Sequence, residues 1–116
     1  MKHREIDATI TEFTKGWDKE YIEYLKTSDA GWWLIPRYST TGDEMLRLIE
    51  KANDQGISIR ITPKLDFYEV SAHKRVCIGV YEEMTTIQTN KLPSGVALVY
   101  LKSKGVDIDQ YLDDTV

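Results

Sequence analysis

The stretch Thr41–Thr62 reads TGDEMLRLIEKANDQGISIRIT and changes from a helical to a strand pattern at Gly56. Thr41 and Glu44 have the spacing of a capping box, which begins a helix. Apolar residues then recur every three or four positions, as on one face of a helix. The members of this stripe are Met45, Leu48, Ile49 and Ala52. After the glycine, isoleucines at positions 57, 59 and 61 alternate with polar residues, which is typical of a strand with one buried face. A helix that leads directly into such a strand favours the α+β class.

Three further strands are predicted after the isoleucine strand. Leu65–Ala72 and Arg75–Glu82 contain many β-favouring residues, and we expect the chain to turn between them at His73-Lys74. Arg75–Glu82 has few polar residues on either face, so it is predicted to lie in the centre of the sheet. Thr85–Thr89 is predicted to add a short strand.

Helices are predicted on both sides of these strands in sequence. Apolar and aromatic residues between Ile6 and Tyr24 step by three or four positions, which favours a helix that is broken near Gly16. The β-favouring threonines in this segment leave a strand over positions 5–15 as the alternative. Pro93 suits the first turn of a later helix, which is predicted to run to about Lys104.

Shorter elements complete the predicted fold. Asp29–Gly31 is interpreted as a turn, and Trp32–Ile35 as a short apolar strand that ends at Pro36. Asp107 is predicted to cap a last helical turn that reaches Leu112. The sequence therefore predicts one α+β domain over residues 1–116, with an antiparallel or mixed sheet of four to five strands and helices packed on it.

The composition is typical of a globular domain. With 116 residues, of which 41% are hydrophobic, the chain can bury a core without a disulfide or a structural metal. Cys77 is the only cysteine, which excludes an intramolecular disulfide and favours a reducing compartment. No stretch has the length and apolarity of a membrane span. We therefore expect a cytoplasmic protein that has no membrane attachment.

The charge balance argues against a nucleic-acid partner. Nineteen acidic residues outnumber fifteen Lys and Arg, and the net charge is −4. Because binding to phosphate backbones needs a basic excess, nucleic acid is not predicted as a partner.

Residue types that carry catalysis or bind metals are not grouped in the sequence. Cys77 and His73 lie four positions apart, a spacing that separates two side chains by about 13 Å along one strand. A buried core cysteine is therefore the preferred interpretation. The two histidines, His3 and His73, have no metal-binding spacing, and no glycine-rich phosphate loop is present. We predict no catalytic residue, no metal and no cofactor.

One group of basic and aromatic residues suggests a binding surface. Its members are Trp32, Trp33, Arg37, Tyr38, Arg60, Lys64, His73, Lys74 and Arg75. If the elements that carry them are neighbours, the group offers charge-assisted hydrogen bonds and aromatic stacking to an acidic partner or an anionic ligand. Adjacent tryptophans on a strand point to opposite faces, so one indole is expected to be exposed. The alternative is that the tryptophans pack in the core and the charges are scattered over the surface.

The sequence thus favours binding over catalysis. The leading hypothesis is a non-catalytic cytosolic protein that occupies a surface of another protein, as a small inhibitor or adaptor does. The alternatives are a binding protein for a small anionic, nucleotide-like ligand and a small hydrolase whose site forms at a dimer interface. Self-association into a homodimer is expected to use either a tryptophan-bearing edge strand or the aromatic face of the first helix.

Overall fold

Helices and strands are described for residues 2–28 and 31–111 in a computed structural model. They follow one another as α1 (Lys2–Lys15), α2 (Lys19–Thr27), a 3-10 helix (Gly31–Leu34), α3 (Gly42–Asp54), β1 (Ile57–Pro63), β2 (Tyr68–Cys77), β3 (Val80–Thr89) and α4 (Leu92–Ser103). The turn predicted at Asp29-Ala30 and the end of the predicted last turn at Leu112 lie outside the described residues. The described residues form one α+β domain, which confirms the predicted fold class.

The sheet has three strands within the described residues, so the prediction of four to five strands is wrong. The strands are antiparallel neighbours in the order β1-β2-β3. Thr85–Thr89 is the second half of β3 and not a strand of its own. No glycine or proline lies between Glu82 and Thr85 to turn the chain there, so the strand continues.

The position of the hairpin between β2 and β3 also differs from the prediction. The chain turns at Ile78-Gly79 and not at His73-Lys74. Gly79 has φ +74°, a conformation that glycine adopts without steric cost, whereas His73 and Lys74 are extended within β2. Cys77 consequently lies at the hairpin tip and is exposed, so the prediction of a buried core cysteine is wrong.

The exposed tip also corrects the prediction that all of Arg75–Glu82 lies in the centre of the sheet. β2 is indeed the central strand, but β1 pairs with it only as far as Ile57 opposite Lys74. The hairpin continues past that point without a third strand, and Val76 and Ile78 are exposed.

The third difference concerns the tryptophans. The segment predicted as the strand Trp32–Ile35 forms the 3-10 helix instead. The amide of Gly31 donates to the carbonyl of Ser28 at 3.0 Å, and that of Ile35 donates to the carbonyl of Trp32 at 3.1 Å. Both hydrogen bonds join residues three positions apart, as in a 3-10 helix. Because they satisfy backbone groups within the segment, the segment needs no partner strand.

The Thr41–Thr62 stretch forms the predicted helix and strand, α3 and β1, and Gly56 between them has φ +82°. The side-chain bonds of a capping box are not formed. The Thr41 hydroxyl donates to the carbonyl of Arg37 at 3.0 Å, and Glu44 pairs with Arg47 at 2.7 Å.

α4 lies at the centre of the main hydrophobic cluster. Every residue from Ser94 to Leu101 is buried, because α4 contacts the sheet as well as α1 and α3. A helix that is apolar around its whole circumference is stable only when it is covered on all sides. The main cluster therefore joins the helices α1, α3 and α4 to the sheet.

A smaller second cluster lies between α1, α2 and the 3-10 helix. Its buried members are Ala8, Ile22, Leu25 and Ile35, with Trp17 and Trp32 packed against them. Gly16 has φ +67° between α1 and α2, which confirms the predicted break. Residues 5–15 are helical, so the helix interpretation of this segment is confirmed over the strand alternative.

Candidate functional site

The most exposed large aromatic side chain in the described residues is Trp33 on the 3-10 helix. The side chain of Trp33 is 81% exposed and that of its neighbour Leu34 is 56% exposed. Trp32 is half-buried against the second cluster. We use the term tryptophan surface for Trp32, Trp33, Leu34 and Arg37.

The 3-10 helix presents this surface because its first residue is a glycine. The backbone of Gly31 approaches the backbone of Leu25 so closely that a Cβ atom at position 31 would collide with it. Gly31 therefore allows the chain to pack directly on α2, with Trp32 against the second cluster and Trp33 outward.

Arg4 of α1 holds the backbone of the tryptophan surface in place. Its guanidinium donates to the carbonyl oxygens of Trp32 and Ile35, the latter at 2.9 Å, and to Asp7 Oδ2 at 2.8 Å. Arg4 Cζ also lies 5.2 Å from the ring centroid of Trp32. One cation thus satisfies two carbonyls of the turn and contacts an indole face.

The carboxylate partner of Arg4 is fully buried. Asp7 is 0% exposed, and its other oxygen, Oδ1, accepts a hydrogen bond from the backbone amide of Ser39 at 2.8 Å. Burial raises the pKa of Asp7, and the hydrogen bonds from Ser39 and Arg4 oppose that rise. Because both oxygens are engaged, Asp7 acts as a structural link between α1 and the segment that carries the tryptophan surface.

Two shallow hollows lie beside Arg37. One, of about 390 Å³, is lined by Arg4, Glu5, Trp32, Trp33 and Arg37. The other, of about 230 Å³, is lined by Trp32, Trp33, Ile35, Pro36, Arg37, Thr41 and Glu44. The guanidinium of Arg37 lies 5.8 Å from the ring centroid of Trp33. The structure therefore brings together three residues of the predicted basic and aromatic group: Trp32, Trp33 and Arg37.

Tyr38, another member of that group, points inward. It is buried in the main cluster, and its hydroxyl lies 3.2 Å from Thr14 Oγ1. Burial raises its pKa. Tyr38 thus adds nothing to the exposed part of the tryptophan surface.

The remaining predicted residues lie on the sheet or next to it. Arg60 is exposed on β1, and its Cζ atom lies 5.5 Å from the ring centroid of Tyr81. His73 on β2 has its Nε2 atom 2.9 Å from the hydroxyl of Ser71. The others are exposed: Lys64 follows β1, and Lys74 and Arg75 lie near the end of β2. Neither hollow at Arg37 includes any of these residues, so a role for them in binding stays a prediction.

Sequence reasoning missed Arg4 and Asp7. Their spacing of three positions on α1 is a recognisable helical ion pair. Their contacts with Trp32, Ile35 and Ser39 span about thirty positions or more, and no local pattern indicates such contacts.

The described part of the chain contains neither a cluster of metal ligands nor a helix that could cross a membrane. No three His, Cys, Asp or Glu side chains lie together as metal ligands would. None of the helices there has both the length and the apolarity that crossing a membrane requires.

Comparison with known proteins identifies no relative. No family model matches this chain, and neither the search of curated proteins nor that of solved structures finds a significant match.

Proposed function

We propose that this chain is a non-catalytic binding protein that attaches to another protein through its tryptophan surface. The observation that carries the proposal is Trp33, a large indole left 81% exposed on a segment that a largely buried ion pair holds in place. Burial of an indole is among the largest single contributions to protein association. Trp and Arg are also over-represented among the few residues that dominate binding energy.

The hydrogen bonds that hold the segment support the same proposal. Arg4 and Asp7 together tie the segment at Trp32, Ile35 and Ser39 to α1. A preformed surface loses less conformational entropy on binding than a mobile loop does. The tryptophan surface therefore has both the side chains and the preorganisation of a contact site.

The proposal includes a partner in the cytosol. Cys77 is the only cysteine and is exposed. An exposed free thiol is typical of proteins in reducing compartments, where it persists without forming disulfides.

Affinity capture from host lysate, followed by native mass spectrometry, tests the proposal with a matched pair of variants. Trp33→Ala is expected to weaken retention of the partner by about 2 kcal/mol, or roughly thirtyfold. Its free energy of unfolding should change by less than about 0.5 kcal/mol, because the removed side chain is exposed. Leu65→Ala is the control, since Leu65 is 97% exposed in the turn between β1 and β2.

Equal retention by wild type and both variants would contradict binding through Trp33. If the retained species is a second copy of this chain, the partner is the chain itself and the protein is a homodimer.

Binding of a small anionic ligand is the second candidate, and a different hollow favours it. This hollow, of about 550 Å³, is lined by His3, Ser39, Thr40, Tyr68, Asn90, Lys91, Leu92, Pro93 and Ser94. Its lining includes a lysine and several donors but no carboxylate. Titration with inorganic phosphate, followed by amide chemical shifts, should move signals around Lys91 in wild type but not in Lys91→Gln. Lys102→Gln, in the last turn of α4, is the control.

A further inference from the structure

Arg37 is the only charged residue of the tryptophan surface. Its side chain has no partner of opposite charge within the described residues. Its guanidinium is exposed and makes neither an ion pair nor a hydrogen bond there. It contacts the face of Trp33, and its Cζ atom lies 5.8 Å from the ring centroid. An arginine that stacks on an aromatic ring retains N–H groups that can bind a carboxylate through two parallel hydrogen bonds.

The other charged residues that line the two hollows beside Arg37 each have a partner of opposite charge. The pairs are Arg4 with Asp7 at 2.8 Å, Glu5 with Lys26 at 2.6 Å and Glu44 with Arg47 at 2.7 Å. A carboxylate that approaches Arg37 therefore meets one uncompensated cation and no uncompensated anion among these residues. This arrangement selects for an acidic group and against a basic one.

The apolar part of the surface lies directly beside that cation. Trp33 stacks with Arg37, and Leu34 follows Trp33 in the 3-10 helix with more than half of its side chain exposed. A segment that covers Trp33 excludes water around the guanidinium, which strengthens its interaction with a carboxylate. The surface is thus complementary to an acidic residue next to an apolar one.

We infer that the partner is an acidic peptide segment in which an Asp or Glu carboxylate binds Arg37 while a neighbouring apolar side chain packs on Trp33. This inference rests on the proposed function and names the chemistry of its partner. The carboxylate forms charge-assisted hydrogen bonds, so Arg37→Lys keeps the charge but loses the two-pronged geometry.

Selection of random peptides displayed on phage, against the immobilised wild-type chain, tests the inference. The selected peptides are expected to be enriched in Asp or Glu next to an aliphatic or aromatic residue. A synthetic peptide of that sequence should bind Arg37→Gln at least about tenfold more weakly than wild type, and Arg37→Lys with an intermediate affinity. Lys102→Gln is the control, because it also removes one exposed positive charge, at a residue in the last turn of α4 that lines neither hollow.

The same selection separates failure of the inference from failure of the proposed function. Peptides that need Trp33 but show no acidic enrichment, and that bind Arg37→Gln as well as wild type, overturn the inference and leave the proposed function standing. Peptides whose binding is unchanged by Trp33→Ala, or a selection that yields no binding peptide, contradict the proposed function and the inference together. Thermal melts of each variant verify that binding is compared between folded proteins.

Discussion

The two hydrophobic clusters of this domain differ in what holds them together. The main cluster surrounds α4 and is covered by α1, α3 and the sheet, so apolar burial is the chief source of its cohesion. The second cluster buries only four residues, and Arg4 and Asp7 lie beside it, binding the turn that contributes Ile35. The main cluster thus stabilises the fold, whereas the second cluster and its ion pair determine the conformation of the tryptophan surface.

The free energy of unfolding is expected to fall most when the ion pair beside the second cluster is broken. Arg4→Ala leaves Asp7 buried without a cation, and removal of one partner of a buried pair typically lowers the free energy of unfolding by about 3 to 5 kcal/mol. It also removes the donor for the carbonyls of Trp32 and Ile35. Urea denaturation measures the first effect. Acrylamide quenching of tryptophan fluorescence, measured in the Trp33→Ala background with and without Arg4→Ala, measures the exposure of the two remaining tryptophans, Trp17 and Trp32. A change below about 0.5 kcal/mol would show that Arg4 is an ordinary surface residue.

Matched leucine truncations compare the two clusters directly. Leu98→Ala in α4 is expected to lower the free energy of unfolding by about 2 to 5 kcal/mol, because it leaves a cavity in the closed main cluster. Leu25→Ala in α2 should cost less, near the lower end of that range, since the small cluster can collapse around the gap. Hydrogen exchange should accelerate throughout the chain in Leu98→Ala but mainly in α2 and the 3-10 helix in Leu25→Ala. The same exchange pattern in both variants would mean that the two clusters unfold as one unit.

A smaller loss of stability is expected at alkaline pH, and it arises from a tyrosine of the main cluster. Burial raises the pKa of Tyr100 to about 12, while its hydrogen bond to Gln55 Oε1, at 2.7 Å, opposes the rise. The unfolded chain loses this proton near pH 10, so stability contributed by Tyr100 is fully present below pH 10 and is lost as pH rises toward 12. Tyr38 is also buried with a raised pKa and is present in both proteins, so the loss of stability should be roughly 2 to 3 kcal/mol larger in wild type than in Tyr100→Phe. Denaturation of both proteins at several pH values between 9 and 12 measures it, and parallel curves would contradict the assignment.

Part of the candidate site was accessible from sequence and part was not. An exposed indole next to Arg37 is indicated by the pattern of residues 32–37, although the segment is a 3-10 helix and not an edge strand. The predicted grouping with Arg60, Lys64, His73, Lys74 and Arg75 assumed that the tryptophan segment pairs with the sheet. Because the backbone of that segment is satisfied by its own short-range hydrogen bonds and by Arg4, it does not join the sheet.

Elements whose signal is local were predictable from the sequence. The stripe of α3, the alternation of β1, the glycine breaks at Gly16 and Gly56 and the start of α4 near Pro93 each depend on neighbouring residues. Tertiary structure alone decided where β1 stops pairing, and hence that Cys77 is exposed at a hairpin tip. It also decided that Arg4 and Asp7 anchor the tryptophan surface. The physical reason is that strand pairing and buried ion pairs join groups far apart in sequence, and their partners are selected by packing rather than by periodicity.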